Sequence, residues 1–133
     1  KKILGHKELG KRLVWLEGVS DEYLECIYQA SSCLIAASEG EGFGLPLIEA
    51  AQYSKPIIAR DIPVFREVAG DHAFYLSGRD KDEIADEIKQ WLLLFNVNKH
   101  PSSDNMPWLT WKESSEQLKN VLFNAKWHKT YFK

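Results

Sequence analysis

Ser38-Glu39-Gly40-Glu41-Gly42-Phe43-Gly44-Leu45-Pro46-Leu47-Ile48-Glu49-Ala50 is the stretch whose reading decides the fold. The apolar run Cys33-Leu34-Ile35-Ala36-Ala37 leads into it as a strand, the loop holds three glycines, and Pro46 opens a helical pattern with Glu49 in its first turns. A strand, a glycine-rich loop and a helix start, in that order, present backbone N–H groups and the positive end of a helix dipole to an anion. This is how α/β folds commonly hold phosphate. Two carboxylates, Glu41 in the loop and Glu49 on the helix, flank whatever the phosphate carries. The loop matches neither G-x-x-x-x-G-K-[ST] nor G-x-G-x-x-G, because its glycines alternate at 40, 42 and 44. Gly42 and Gly44 still allow the backbone to approach a diphosphate, and Glu49 can accept both vicinal hydroxyls of a ribose. The plain structural alternative is a tight strand-to-helix turn followed by a solvated helix carboxylate.

Working outward, strand-like runs recur at Leu13-Val14-Trp15-Leu16, at 33–37, at Pro56-Ile57-Ile58-Ala59 and at Ala73-Phe74-Tyr75-Leu76. Helical patterns lie between them. Over 22–31, Tyr23, Leu24, Ile27 and Tyr28 share one face after the natural N-caps Ser20 and Asp21. A short helix is expected from Pro63 to a stop at Gly70. Asp80-Lys81-Asp82-Glu83 forms a capping box before Ile84, Ile88, Trp91, Leu92 and Phe95, which predicts a helix over 82–95. After a polar loop at 96–105, Thr110-Trp111-Lys112-Glu113 is a second capping box that opens a last helix to about Asn124. Strands alternating with helices predict an α/β, Rossmann-like parallel sheet with helices on both faces and a ligand site at the carboxyl ends of the strands.

A chain of 133 residues is one domain, with a hydrophobic content of 44%, a charged content of 27% and a formal charge of -2. That balance lacks the basic excess of a nucleic-acid binder, so phosphate binding has to be local and no nucleic-acid partner is expected. Cys26 and Cys33 form no C-x-x-C pair and read as two buried thiols of a reducing compartment. The chain opens Lys1-Lys2-Ile3-Leu4 and its only Met is Met106, so it reads as part of a longer product with sequence missing on the N-terminal side. His6, His72, His100 and His128 show no metal-ligand spacing. Asp80-Lys81-Asp82 matches the D-x-D pattern of metal-dependent sites, but its position at a helix start favours capping.

Glu41-Gly42-Phe43-Gly44-Leu45-Pro46-Leu47-Ile48-Glu49 resembles the two-glutamate signature of the retaining nucleotide-sugar glycosyltransferases of family 4, which have the two-domain GT-B fold. Four further blocks resemble the same family in the same order: Gly18-Val19-Ser20-Asp21, Lys55-Pro56-Ile57-Ile58-Ala59, Pro63-Val64-Phe65-Arg66-Glu67-Val68-Ala69-Gly70-Asp71 and Thr110-Trp111-Lys112-Glu113-Ser114-Ser115. Ala37 departs from the pattern, since a proline is more usual there.

The resemblance implies that residues 1–133 are a partial C-terminal, nucleotide-sugar-binding domain. The acceptor-binding N-terminal domain and the Arg/Lys pair that grips the diphosphate would lie outside it, so the chain alone is expected to bind donor without transferring sugar. Glu49 would bind the donor ribose and Glu41 the hexose, with the covalent nucleophile as a second role for Glu41. Backbone amides of Gly42, Phe43, Gly44 and Leu45 would hold the hexose and diphosphate, with Gly18 and Val19 near the base. No cofactor or metal is expected. GDP-mannose is the first choice of donor, UDP-hexoses the second, and the acceptor would be a glycan or lipid-linked sugar in bacterial polysaccharide synthesis. A non-catalytic nucleotide-binding module and a sugar-nucleotide epimerase of the same fold are the competing readings. The expected location is cytoplasmic, with peripheral contact at the inner membrane face; the basic, aromatic tail at 125–133 reads as a membrane-surface or interdomain segment and equally as a frayed end.

Overall fold

The computed structural model describes residues 3–124. A helix α1 (Asp21–Ala30) precedes strand β1 (Leu34–Ala36), followed by α2 (Leu45–Gln52), β2 (Ile57–Arg60), α3 (Pro63–Ala69), a 3-10 turn (Gly70–His72), β3 (Ala73–Leu76), α4 (Lys81–Asn96) and α5 (Trp111–Asn124). The strands form one parallel sheet in the order β1-β2-β3, in register Leu34–Ile57–Ala73 and Ile35–Ile58–Phe74.

Successive strand side chains point to opposite faces, and here the two faces have separate cores. Ile57, Ala59 and Ala73 join Leu47, Ala50 and Ala51 of α2, Phe65 and Ala69 of α3, and Met106. Ile58 and Leu76 join Trp91 of α4, with Phe74, Ile84, Ile88 and Phe95 packed around them. Both faces of the sheet are thus covered by helices, as the alternation of elements predicts.

The helix ends follow the sequence signals. Ser20 caps α1 by accepting from the Tyr23 N–H, and Asp80 caps α4 by accepting from the N–H groups of Asp82 and Glu83. Glu83 reaches back one residue further than a standard box, to the Arg79 N–H at 2.6 Å. Thr110 and Glu113 make the complete reciprocal box at the start of α5, with N–H to side-chain oxygen distances of 2.8 and 3.2 Å. Gly70 ends α3 at φ 50°, a conformation that suits glycine.

Four expectations need correction. The run Leu13–Leu16 forms no strand: beyond one bridge between Leu9 and Leu13 it has no ladder partner among the described residues, and Val14, Trp15 and Leu16 are exposed. Strand propensity is realised only beside another strand, and no described strand lies beside this run. Tyr23 is exposed, so the inward face of α1 is Leu24, Ile27 and Tyr28. The cysteines are both free, but only Cys33 is half-buried, its thiol pushed up by burial, while Cys26 is exposed. The polar loop at 96–105 is partly core: Met106 at its end is buried, and buried Ser103 donates to the Lys55 carbonyl at 2.8 Å. The tail at 125–133 lies outside the described residues.

Two substitutions should separate core from cap. Phe65→Ala, at a side chain 1% exposed, should cost about 3–5 kcal/mol in urea unfolding. Asp80→Ala should cost about 1 kcal/mol, the usual value of an N-cap.

Candidate functional site

All three parallel strands end on the same side of the sheet, and the segments that leave them are joined there. Arg60, the last residue of β2, donates to the Gly78 carbonyl beyond β3 at 2.7 Å, and its guanidinium lies 3.8 Å from Glu39 of the glycine loop. Asp61 accepts from both Nε and a terminal nitrogen of Arg66, at 2.7 and 2.9 Å, and from the Ser77 hydroxyl at 3.2 Å. The Arg66 guanidinium also lies over the Tyr75 ring, 3.7 Å from its centroid. Arg66 therefore pairs with Asp61. The hydrogen bond from Arg66 holds the Asp61 carboxyl below the usual range.

The glycine loop turns into α2 at Gly44, whose φ of 82° places it in the left-handed region. A Cβ at this position would lie 3.3 Å from Cδ1 of Phe65, so the loop rests directly on the core. Gly44 is the N-cap of α2 and has no side chain to satisfy the first-turn amides, and Pro46 removes one of them. The Leu47 N–H bonds back to the Gly44 carbonyl at 3.0 Å, and no side chain caps the helix start. Glu41 is exposed, and its Oε1 accepts from the Gly42 N–H at 3.1 Å, which occupies one donor of the loop. Phe43 and Leu45 are exposed on either side of buried Gly44.

One turn into α2, Glu49 is half-buried, and its Oε2 accepts from the Tyr28 hydroxyl at 2.8 Å. Burial, and then the neighbouring Glu49 carboxylate, raise the Tyr28 phenol well above its ordinary value. Glu49 borders two cavities. The larger, of about 600 Å³, runs between α2, α3 and the entry to α5, past Phe43, Leu45, Glu67, Trp108 and Trp111. The smaller, of about 160 Å³, lies between α1 and α2, past Tyr28 and Tyr53. The structure thus gathers Gly42, Phe43, Gly44, Leu45 and Glu49 around one helix start. Gly18, at φ 63°, and Val19 stand on the exposed segment before α1, and among the described residues no hydrogen bond joins them to the glycine loop.

The sequence reading missed Tyr28 as a site residue, placing it only on an apolar helix face. Nothing in a spacing of 21 residues ties it to Glu49. Trp108 was missed as well, for the same want of a local signal. In the Asp80-Lys81-Asp82 pattern the Asp80 carboxylate caps α4, accepting from the backbone N–H groups of Asp82 and Glu83.

Residues 1–103 match the family described as Glycosyl transferases group 1. The chain belongs to this family. Among curated relatives, the "Serotype-specific mannosyltransferase WbdA" of Escherichia coli is 53% identical over 122 residues, covering 91% of this chain and 15% of the relative. The "O-antigen chain mannosyltransferase RfbU" of Salmonella typhimurium is 38% identical over 82 residues, which is 62% of this chain and 23% of the relative. The "O-antigen chain mannosyltransferase B" of Escherichia coli is 34% identical over 88 residues, 64% of this chain and 23% of the relative. This group 1 glycosyl transferase domain thus spans about 15% of the length of its WbdA relatives. No described helix is long and apolar enough to cross a membrane.

Gly44→Ala should lower stability by about 1–2 kcal/mol, the penalty of a left-handed non-glycine residue, read as a shift in the urea midpoint. The Asp61–Arg66 pair should show in the acid limb. A carboxyl held low in the folded state contributes stability that is complete above its unfolded value, about 3.9, and is lost as pH falls through the lower folded value. Asp61→Asn should therefore unfold less steeply between about pH 4 and pH 2 than the parent chain does, measured by acid titration of circular dichroism.

Proposed function

We propose that this domain binds the nucleotide-sugar donor of a retaining bacterial mannosyltransferase, with GDP-mannose as the donor and a glycan or lipid-linked sugar of a surface polysaccharide as the acceptor. The observation that carries the reading is Glu49: a half-buried carboxylate fixed by Tyr28, one turn below a helix start capped only by a left-handed glycine. A nucleoside diphosphate has the matching order of groups, with its phosphates at the helix start and its ribose hydroxyls at the carboxylate. The names of the WbdA and RfbU relatives support mannose as the transferred sugar.

In this reading the chemistry is that of a leaving group. As the glycosidic bond to the diphosphate breaks, negative charge grows on the phosphate oxygens. The amides of Phe43, Gly44 and Leu45 and the α2 dipole would stabilise that charge, and the Gly42 amide joins them once Glu41 releases it. Glu41 contacts the hexose after releasing the Gly42 N–H that it now accepts from. Attack on the face the leaving group departs from needs only hydrogen bonds from Glu41, whereas covalent catalysis would need it in line with the anomeric carbon. Gly18 and Val19 lie near the base. This arrangement calls for no metal ion. The acceptor is held by a second domain of the whole transferase, and the domain works at the cytoplasmic side of the membrane.

Titration calorimetry with GDP-mannose and UDP-hexoses tests the reading. GDP-mannose should bind more tightly than the UDP-sugars, and Glu49→Ala should weaken it about tenfold or more, the usual loss for hydrogen bonds to a charged group. Unchanged affinity in Glu49→Ala would sink the donor-site assignment.

A further inference from the structure

Glu49 has an unusual setting for a carboxylate one turn into a helix. The residues that line its two cavities include no lysine, arginine or histidine, and Glu25, Asp21 and Glu67 add further negative charge. Its orientation is set by a neutral donor, the Tyr28 hydroxyl 2.8 Å from Oε2. The hydroxyl is itself held in place. The Tyr28 ring stacks flat on Tyr53, with centroids 5.6 Å apart and planes 5° from parallel, and packs against the core. The end of α1 that carries it is tied down by the Lys55 ammonium, which donates to the Gln29 carbonyl at 2.9 Å.

A neutral donor and a cation would have different consequences. An ion pair would fix the carboxylate and also consume most of its charge. A phenol occupies one of roughly four lone-pair positions. No other hydrogen bond to the Glu49 carboxylate is made among the described residues, which leaves both lone pairs of Oε1 and one of Oε2 for a ligand. Two adjacent hydroxyls, one to each oxygen, fit that remaining set.

We propose that Tyr28 is a positioning residue: its hydrogen bond to Oε2 locks Glu49 in the orientation from which both carboxylate oxygens accept from a vicinal diol of the bound nucleotide. The proposal rests on the assignment of Glu49 to the donor ribose. Tyr28 touches no ligand and acts through Glu49 alone, so its effect requires both the carboxylate and the diol.

The test compares GDP with 2′,3′-dideoxy-GDP, and UDP with its dideoxy form in parallel, so that the identity of the base does not decide the outcome. Tyr28→Phe removes one oxygen and keeps the ring on Tyr53. It should weaken the hydroxylated nucleotide about fivefold to tenfold and leave affinity for the dideoxy form unchanged. In a Glu49→Ala background the same substitution should have no effect on either nucleotide. Equal weakening of both forms by Tyr28→Phe, or no weakening of either, would overturn the role of Tyr28 while leaving Glu49 in place. If the parent protein binds hydroxylated and dideoxy nucleotides equally, the ribose assignment of Glu49 fails and the role of Tyr28 fails with it. Should Tyr28→Phe not fold, Tyr53→Leu loosens the same hydroxyl by removing its stacking partner. That variant must then show the same selective loss, and a loss shared by both nucleotides counts against the proposal.

Discussion

β2 is buried on both faces, and that constraint organises the rest of the domain. Ile57 and Ala59 face one core and Ile58 the other, each at 1% exposure or less. A central parallel strand of this kind cannot face water on either side, so it requires a helix layer above and below. α2 and α3 supply one layer and α4 the other. Parallel pairing also makes every strand finish at the same edge, which collects the glycine loop, Arg60-Asp61 and Ser77-Gly78 in one place. The hydrogen bonds from Arg60 to Gly78 and from Ser77 to Asp61 then connect segments far apart in the chain.

Within that layer Gly44 links the site to the core. Its left-handed backbone lets the chain turn from loop to helix over the face of Phe65, with no room for a larger residue unless Phe65 shifts. The start of α2 is therefore positioned by a buried aromatic ring, and the amides it presents inherit the rigidity of the sheet. Glu49 is braced differently, by a side chain from α1 on the far side of β1 in sequence. The two halves of the candidate site, the helix start and the carboxylate, thus depend on different parts of the fold.

Most of this architecture was legible in the sequence because its signals are local. The capping residues Ser20, Asp80 and Thr110, the stop at Gly70 and the short apolar runs of the three strands each specify their own neighbourhood, and each forms as read. What was not legible depends on distant partners. Leu13–Leu16 has the composition of a strand but no neighbour to pair with among the described residues. Met106 and Ser103 sit in a polar stretch, and only the packing against Lys55 and α2 reveals them as core. Tyr28 looked like an ordinary apolar-face residue because the hydrogen bond that distinguishes it crosses 21 positions. The family resemblance supplied roles for the glutamates, whereas the phenol that orients one of them emerged only in three dimensions.

β1 is three residues long and borders the sheet, with β2 on one side only. Ile35 faces the α4 side in register with buried Ile58, yet is 49% exposed because α4 packs over β2 and β3. Among the described residues no strand pairs with the outer side of β1, and an edge of this kind beside an exposed isoleucine is where an extended segment can add to the sheet.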